Sequence, residues 1–235
     1  MTLRRRLLSF FAVIAVVGAV ALMPLGVGLS LIKPDAIGFS ARATSGTVWS
    51  GRIDDAVIGP LALGDFDVRL SPLQLLLGRV SLALKNPVNR GEQITLIAVR
   101  GKQGFDHATL RIAAAHAFAP LPIDMIDLDD VSLRMANGRC VRASGKVRLG
   151  LGADLGGITL GQGLSGTLRC DGAAIGATLI SQSAMERVLL RVTPRKGYRA
   201  TIIVNAGSTE RVAEMARLGF RETPQGMVMR VSGKF

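Results

Sequence analysis

The chain has 235 residues and a formal charge of +12, and it is 49% hydrophobic but only 4% aromatic. Any core must therefore be aliphatic, and the length allows one or two domains. The excess of cations does not mark a nucleic-acid binder, because Arg69, Arg79, Arg100, Arg111, Arg134, Arg148 and Arg191 occur singly and the chain holds one Trp and one Tyr; nucleic-acid grooves cluster cations with aromatics, whereas a basic face beside an anionic membrane surface does not need them.

Residues 1–6 form a short tail with Arg4, Arg5 and Arg6, followed by Leu7–Ile32, which carries no charged side chain. A bilayer core takes roughly 20 apolar residues as a helix, so 7–32 is predicted as a single transmembrane anchor. Clustered arginines stay on the cytoplasmic side, which puts the remainder of the chain outside the cytoplasm. A cleaved leader ending at Ala19-Val20-Ala21 is the alternative, with Leu7–Gly18 as its apolar centre. The continuation of the apolar run through Leu22–Ile32 favours retention. Residues 33–44 then read as a polar linker and 45–235 as the exported domain.

In that domain short β-branched runs alternate with glycines, the pattern of an all-β chain with many turns. Ser45–Ile53 reads as a first strand carrying the only tryptophan, Trp49. Strands follow at Ala56–Ile58, Leu61–Leu63 and Asp65–Leu70, where apolar and charged residues alternate. Ser71–Gly78 is predicted as a short helix, with Ser71 as cap, Pro72 at its first position and Gly78 as its stop. Alternation resumes over Arg79–Leu84, Ile94–Arg100 and Ala108–Ala115. Ala119–Pro122 interrupts it and is the candidate internal seam. Further strands are expected at Leu128–Ala136, Gly138–Leu151, Gly163–Cys170, Ala173–Ser181, Val188–Thr193, Tyr198–Val204 and Met227–Gly233. A second helix is expected over Thr209–Leu218, capped by Ser208 and stopped by Gly219. A Ser-Gly phrase recurs at Ser45, Ser144, Ser165 and Ser232 with irregular spacing, which suits strands opening after a glycine kink rather than a solenoid.

Chemical motifs are sparse. Gly150-x-Gly152-x-x-x-Gly156 lacks the helix that a dinucleotide loop requires. Asp124, Asp127, Asp129 and Asp130 lack the spacing of a calcium loop and read as solvated turn and strand-edge residues. His107 and His116 have no partner at metal-ligand spacing, and no nucleophile elbow occurs. Nothing calls for a metal or cofactor, and nothing argues for an enzyme. Cys140 and Cys170, the only cysteines, read as a disulfide in an oxidising compartment; two buried thiols are the alternative.

Taken together and in order, several phrases resemble the type II secretion system protein N family, also called general secretion pathway protein N. They are the Arg-led anchor, Ser45-Gly46-Thr47-Val48-Trp49-Ser50-Gly51, Ser71-Pro72-Leu73-Gln74-Leu75-Leu76-Leu77-Gly78, Leu164–Leu168, Ser181-Gln182-Ser183-Ala184-Met185-Glu186 and the ending Leu218-Gly219-Phe220 … Ser232-Gly233-Lys234-Phe235. The chain is somewhat short for that family, and Cys170 stands where many members have another residue. The resemblance implies a non-enzymatic accessory protein of the bacterial inner membrane, single-pass with a periplasmic body, that contacts other inner-membrane components of the secretion machine. It also implies a fold similar to the AsmA-like group, a curved antiparallel β-groove with one or two short helices. An AsmA-like role in lipid handling or outer-membrane assembly is the alternative. The residues singled out are Gly46, Trp49 and Gly51, with Trp49 read as a core residue, and Gln182, Met185 and Glu186. Gln182 and Glu186, four apart, would pair on a helical turn or cap a turn.

Overall fold

The computed structural model describes residues 2–31, 39–59, 61–99, 101–114, 118, 123–152, 163–193 and 197–234. The proposed seam at 119–122, residues 33–38 of the linker, His116 and the 153–160 part of the glycine motif lie outside the described residues. Two helices come first, α1 (Thr2–Ala21) and α2 (Leu25–Leu31), then strands β1 (Phe39–Ser40), β2 (Ala43–Gly46), β3 (Gly51–Ile58) and β4 (Leu61–Leu70). Helix α3 (Pro72–Leu76) leads into β5 (Val80–Lys85), β6 (Gln93–Val99), β7 (Lys102–Ala113), β8 (Ile123–Ala136) and β9 (Arg139–Leu151). The chain continues through β10 (Leu164–Asp171), β11 (Ala174–Ser181), β12 (Glu186–Thr193) and β13 (Gly197–Val204), then α4 (Thr209–Arg217), β14 (Arg221–Thr223) and β15 (Gly226–Gly233).

Among the described residues all fifteen strands belong to one antiparallel sheet, a meander in which most strands pair with their sequence neighbours. At one edge β1 and β2 share β3; at the other, β14 lies outside β15. The molecule is mainly β, as composition and alternation predict. Both predicted helices of the body form where their caps stand, with Ser71 accepting from the Gln74 amide and Ser208 from the Arg211 amide. β1 and β14, of two and three residues, are too short to leave an alternating signal.

The sheet bends at bulges. Asp55, His107 and Asp130 adopt positive φ, near 50°, where the β3–β4, β7–β8 and β8–β9 registers slip. Asp, Asn and His are the non-glycine residues that tolerate this conformation best, and such bulges increase bend and twist. At Gly145, φ 108°, a Cβ would lie 2.5 Å from the Val131 Cα, so the chain needs glycine there. Because the β5–β6 hairpin stops short, the first half of β4 reaches across to β7, pairing Ala62 with Ala113. Farther on, the Tyr198 hydroxyl donates to the Phe118 carbonyl at 2.6 Å, and their rings sit 5.4 Å apart. The sheet thus rolls far enough to bring β13 onto the β7–β8 connection.

Rolling buries one face of the sheet. A larger cluster gathers Val131, Leu179, Ala200 and Ile202 with Met215 of α4 and Phe220. A smaller one gathers Ile53, Phe66, Val68 and Leu84 with Leu25 of α2. Leu61, Ile94, Ile126 and Leu128 pack against both, which makes the aliphatic core continuous.

The anchor departs from expectation. Leu7–Ile32 is not one helix: α1 ends at Ala21, Pro24 forms a bridge with Thr47, and α2 packs on the sheet with Leu25 3% exposed. Proline lacks the amide that would continue the ladder and its ring clashes with the preceding turn. Gly26 and Gly28 then let α2 settle on β2 and the following turn, since a Cβ on Gly28 would collide with Val48. Burying Leu25 contributes about 2 kcal/mol, so α2 is tied to the sheet through Leu25, with Leu29 packed against the same cluster. Among the described residues no helix is long and apolar enough to cross a membrane.

Candidate functional site

Residues Ser45–Gly51 do not form one strand. β2 ends at Gly46, Thr47–Ser50 turn, and β3 begins at Gly51. The two glycines face each other in register. Gly46 has φ 81°, and a Cβ on Gly51 would stand 2.7 Å from the Ser45 carbonyl oxygen and 2.8 Å from Leu25 Cδ2. The close approach is needed because this turn clasps the junction of α1 and α2. The Val48 amide donates to the Met23 carbonyl at 3.0 Å, and Trp49 Nε1 donates to the Val20 carbonyl at 3.0 Å. Val20 lies in the last turn of α1, whose carbonyls have no partner within the helix. Trp49, read from sequence as a core residue, is half-buried and serves as a C-terminal latch. No sequence signal pairs Trp49 with Val20, 29 residues away; the apolar run hides the junction, and only Pro24 hints at it.

The second motif is the β11–β12 turn. Glu186 accepts from the Ser181 hydroxyl at 2.5 Å and the Ser183 hydroxyl at 2.8 Å, while the Glu186 amide donates to Ser181 Oγ at 3.3 Å. Ala184 takes φ 59° at the apex. No helical turn exists here, so Gln182 and Glu186 do not pair as i and i+4 helix neighbours. Gln182 is exposed, and Met185, 40% exposed, gives its carbonyl to the Asn205 amide at 2.9 Å. The motif rigidifies a hairpin end.

Cys140 and Cys170 are joined, with Cα atoms 5.5 Å apart. β9 and β10 pair only between Lys146–Leu149 and Leu164–Thr167, and the seam opens toward Cys170. The bridge and the Cys140 amide, which donates to the Ala173 carbonyl at 3.1 Å, tie it shut again.

The acidic residues Asp124, Asp127, Asp129 and Asp130 lie along β8. Arg111 donates to Asp127 at 2.8 Å, His107 Nδ1 meets Asp130 at 2.7 Å, and Asp129 faces Lys146 in register. Arg42, Arg52 and Arg111 have pKa values raised above the usual arginine range, first by hydrogen bonds to Asp55, Asp67 and Asp127 and then by the charges of those partners. A cleft of about 780 Å³ crosses β7–β10 over Arg111, Asp127, Asp129, Lys146 and Arg148. Arg111 and Asp127 pair across it, and Arg148 and Lys146 stand in register with Asp127 and Asp129, so it carries a ladder of opposite charges across strands. No cluster that could hold a metal ion occurs among the described residues.

One feature carries no sequence alarm. α3 has no buried residue, and Leu73, Leu76 and Leu77 are 69%, 85% and 76% exposed. Its capping signature identifies the helix; the lack of a polar face in Leu73–Leu77 is the only hint that it points outward.

The conspicuous residues therefore build a latch, a staple, a hairpin end and a charge ladder. That defines the class: an all-antiparallel β-sheet body led by an apolar helix. A family model for type II secretion system (T2SS), protein N, matches residues 38–228, and the chain belongs to that family. The family is an accessory part of type II secretion, so membership ties the chain to protein transport by that machine. No curated protein and no solved structure matches the chain, and the expected AsmA-like groove rests on no matched fold.

Proposed function

We propose that the chain is a non-enzymatic component of the type II secretion machine, held at the inner membrane by α1, whose periplasmic body works through contacts with other inner-membrane components. The family match over 38–228 carries this reading, because it spans almost the whole β body. Arg4–Arg6 before an apolar helix suit a cytoplasmic N-terminus. The uncharged part of α1, Leu7–Ala21, rises about 22 Å at 1.5 Å per residue, short of a hydrocarbon core of roughly 30 Å. Local thinning of the bilayer accommodates such a deficit. Partner contacts fall on open sheet edges, where unpaired backbone groups add a strand; β2, exposed at every residue, is one such edge.

The test separates the body from the helix. Replacing residues 1–19 by an unrelated basic-plus-apolar leader should leave secretion intact, because Trp49 holds a backbone carbonyl rather than a side chain. Deleting residues 39–235 should abolish secretion without altering envelope lipid. Intact secretion with a leaky outer membrane would refute the proposal and favour the AsmA-like alternative.

A further inference from the structure

Resting on the membrane reading above, we infer that α3 and the cations around it form a second membrane contact, with the leucines of α3 inserted in an anionic leaflet beside α1. The two apolar features leave the sheet at the same place. In the β3–β4 pair Gly51 faces Val68, so the turn that latches α1 precedes β3 at the end where β4 runs out into Ser71 and α3. A depression of about 310 Å³ lies beside the latch turn, lined by Ser50 and Gly51 and reaching Arg69 near the end of β4. From that end α1 presents exposed apolar side chains such as Phe10, Phe11 and Val17, and α3 presents Leu73, Leu76 and Leu77. Leucines this exposed on a five-residue helix and its cap, Leu77, with none buried beneath, find no covering partner among the described residues.

Charge chooses lipid as the occupant. Beside α3 a cleft of about 580 Å³ is lined by Gln74, Arg79, Lys102 and Arg142, together with the ion-paired Arg134 and Asp106. Arg79, Lys102 and Arg142, like Arg69 near the latch, have no ion-pair partner among the described residues. The other end of the same hairpin is different: the Asn86–Glu92 turn holds both Arg90 and Glu92 and exposes a single apolar side chain, Val88. Apolar side chains ringed by unneutralised cations match the boundary between acyl chains and anionic headgroups. An acidic protein groove would satisfy the cations too, but α3 leaves the sheet at the same end as the turn that latches α1, the end that the membrane reading sets toward the bilayer.

The test uses the full-length chain reconstituted in vesicles, with an environment-sensitive fluorophore on a single introduced cysteine and spin-labelled lipids as quenchers. Three variants carry the probe: Phe11→Cys on α1, Leu76→Cys on α3 and Val88→Cys at the opposite end. In vesicles of phosphatidylethanolamine and phosphatidylglycerol, Phe11 and Leu76 probes should be quenched and the Val88 probe should not. Omitting phosphatidylglycerol should weaken quenching at Leu76 about twofold or more, as should Arg79→Glu with Lys102→Glu. Quenching at Phe11 with Leu76 behaving like Val88 overturns the α3 contact and leaves the membrane reading standing. Protection of Leu76 only when other secretion components are present would likewise overturn it, in favour of a protein partner. Absence of quenching at Phe11 refutes the membrane reading and this inference with it.

Discussion

Removing the Cys140–Cys170 bridge should destabilise the body by an amount that the topology sets. The cysteines are 30 residues apart in sequence. Cross-linking a loop of that length removes about 12 cal/mol/K of unfolded-chain entropy, or about 3–4 kcal/mol at 25 °C. The native state resists little of this gain, because the Cα atoms already stand 5.5 Å apart, inside the range a disulfide accepts. The bridge also sits where it is mechanically needed: β8–β9 and β10–β11 are each paired to their turns, whereas β9 and β10 part after Lys146 and Thr167. For a body of this size 1 kcal/mol moves Tm by roughly 2–4 °C, so the Cys140→Ser, Cys170→Ser double variant should melt roughly 8–14 °C below the parent chain. Differential scanning fluorimetry of the full chain in detergent, with and without reductant, measures this. Reductant should lower the parent to the level of the variant and leave the variant unchanged. A shift below about 2 °C, or free thiols in the unreduced unfolded chain, would refute the reasoning.

Two further outcomes follow from the latch and the ring pair. Gly28→Val forces a side chain against Val48 and should loosen the α1–α2 junction, so emission from the only tryptophan, Trp49, should shift to the red; an unchanged spectrum would show that the latch does not depend on this packing. Tyr198→Phe removes the hydrogen bond to the Phe118 carbonyl and should cost about 1 kcal/mol at neutral pH in urea unfolding. Burial raises the Tyr198 pKa above the ordinary 10.0, so the unfolded chain loses this proton first; the stabilisation is intact below about pH 10 and is lost as pH rises through the folded pKa. Parent and variant should therefore converge in stability at alkaline pH, and a constant difference would contradict the assignment.

The sheet was largely legible because its signals are local. Alternation in Asp65–Leu70, the Ser71-Pro72 start of α3 and the Ser208 cap of α4 each act within a few residues, and each element forms there. The break in the apolar run is not legible, because hydropathy does not distinguish lipid from protein core. Leu25 and Leu29 are as apolar as Phe10, yet they pack against the cluster around Phe66. What decides between the two environments is Pro24 acting with a turn more than twenty residues downstream, and that coupling is tertiary. The two motifs behave alike. The Ser45-Gly46 phrase reads as a glycine kink opening a strand, but not as half of a clasp with Gly51; Gln182 and Glu186 read as a pair, but the partners of Glu186 are serines.

Charge shows the same limit, with a consequence for how this chain meets its surroundings. Along the sequence Arg69 and Arg79 stand singly, and such scattered cations read as a solvated basic face beside an anionic membrane surface. A meander gathers some of them. Each pair of strands returns the chain to the end it left, so residues tens of positions apart emerge side by side; Arg79, Lys102 and Arg142 line one cleft, and Arg69 borders the latch beside it. Elsewhere the strand registers set opposite charges against each other, as in Arg52 with Asp67 and Arg111 with Asp127, and those sites are neutralised from within. Few of the cations behind the net charge of +12 are held in ion pairs among the described residues, and beside α3 three of the others, Arg79, Lys102 and Arg142, share one cleft. On the membrane contact inferred above, a cluster of that kind would orient the body at an anionic surface before any specific contact forms, leaving the sheet edges free for protein contacts.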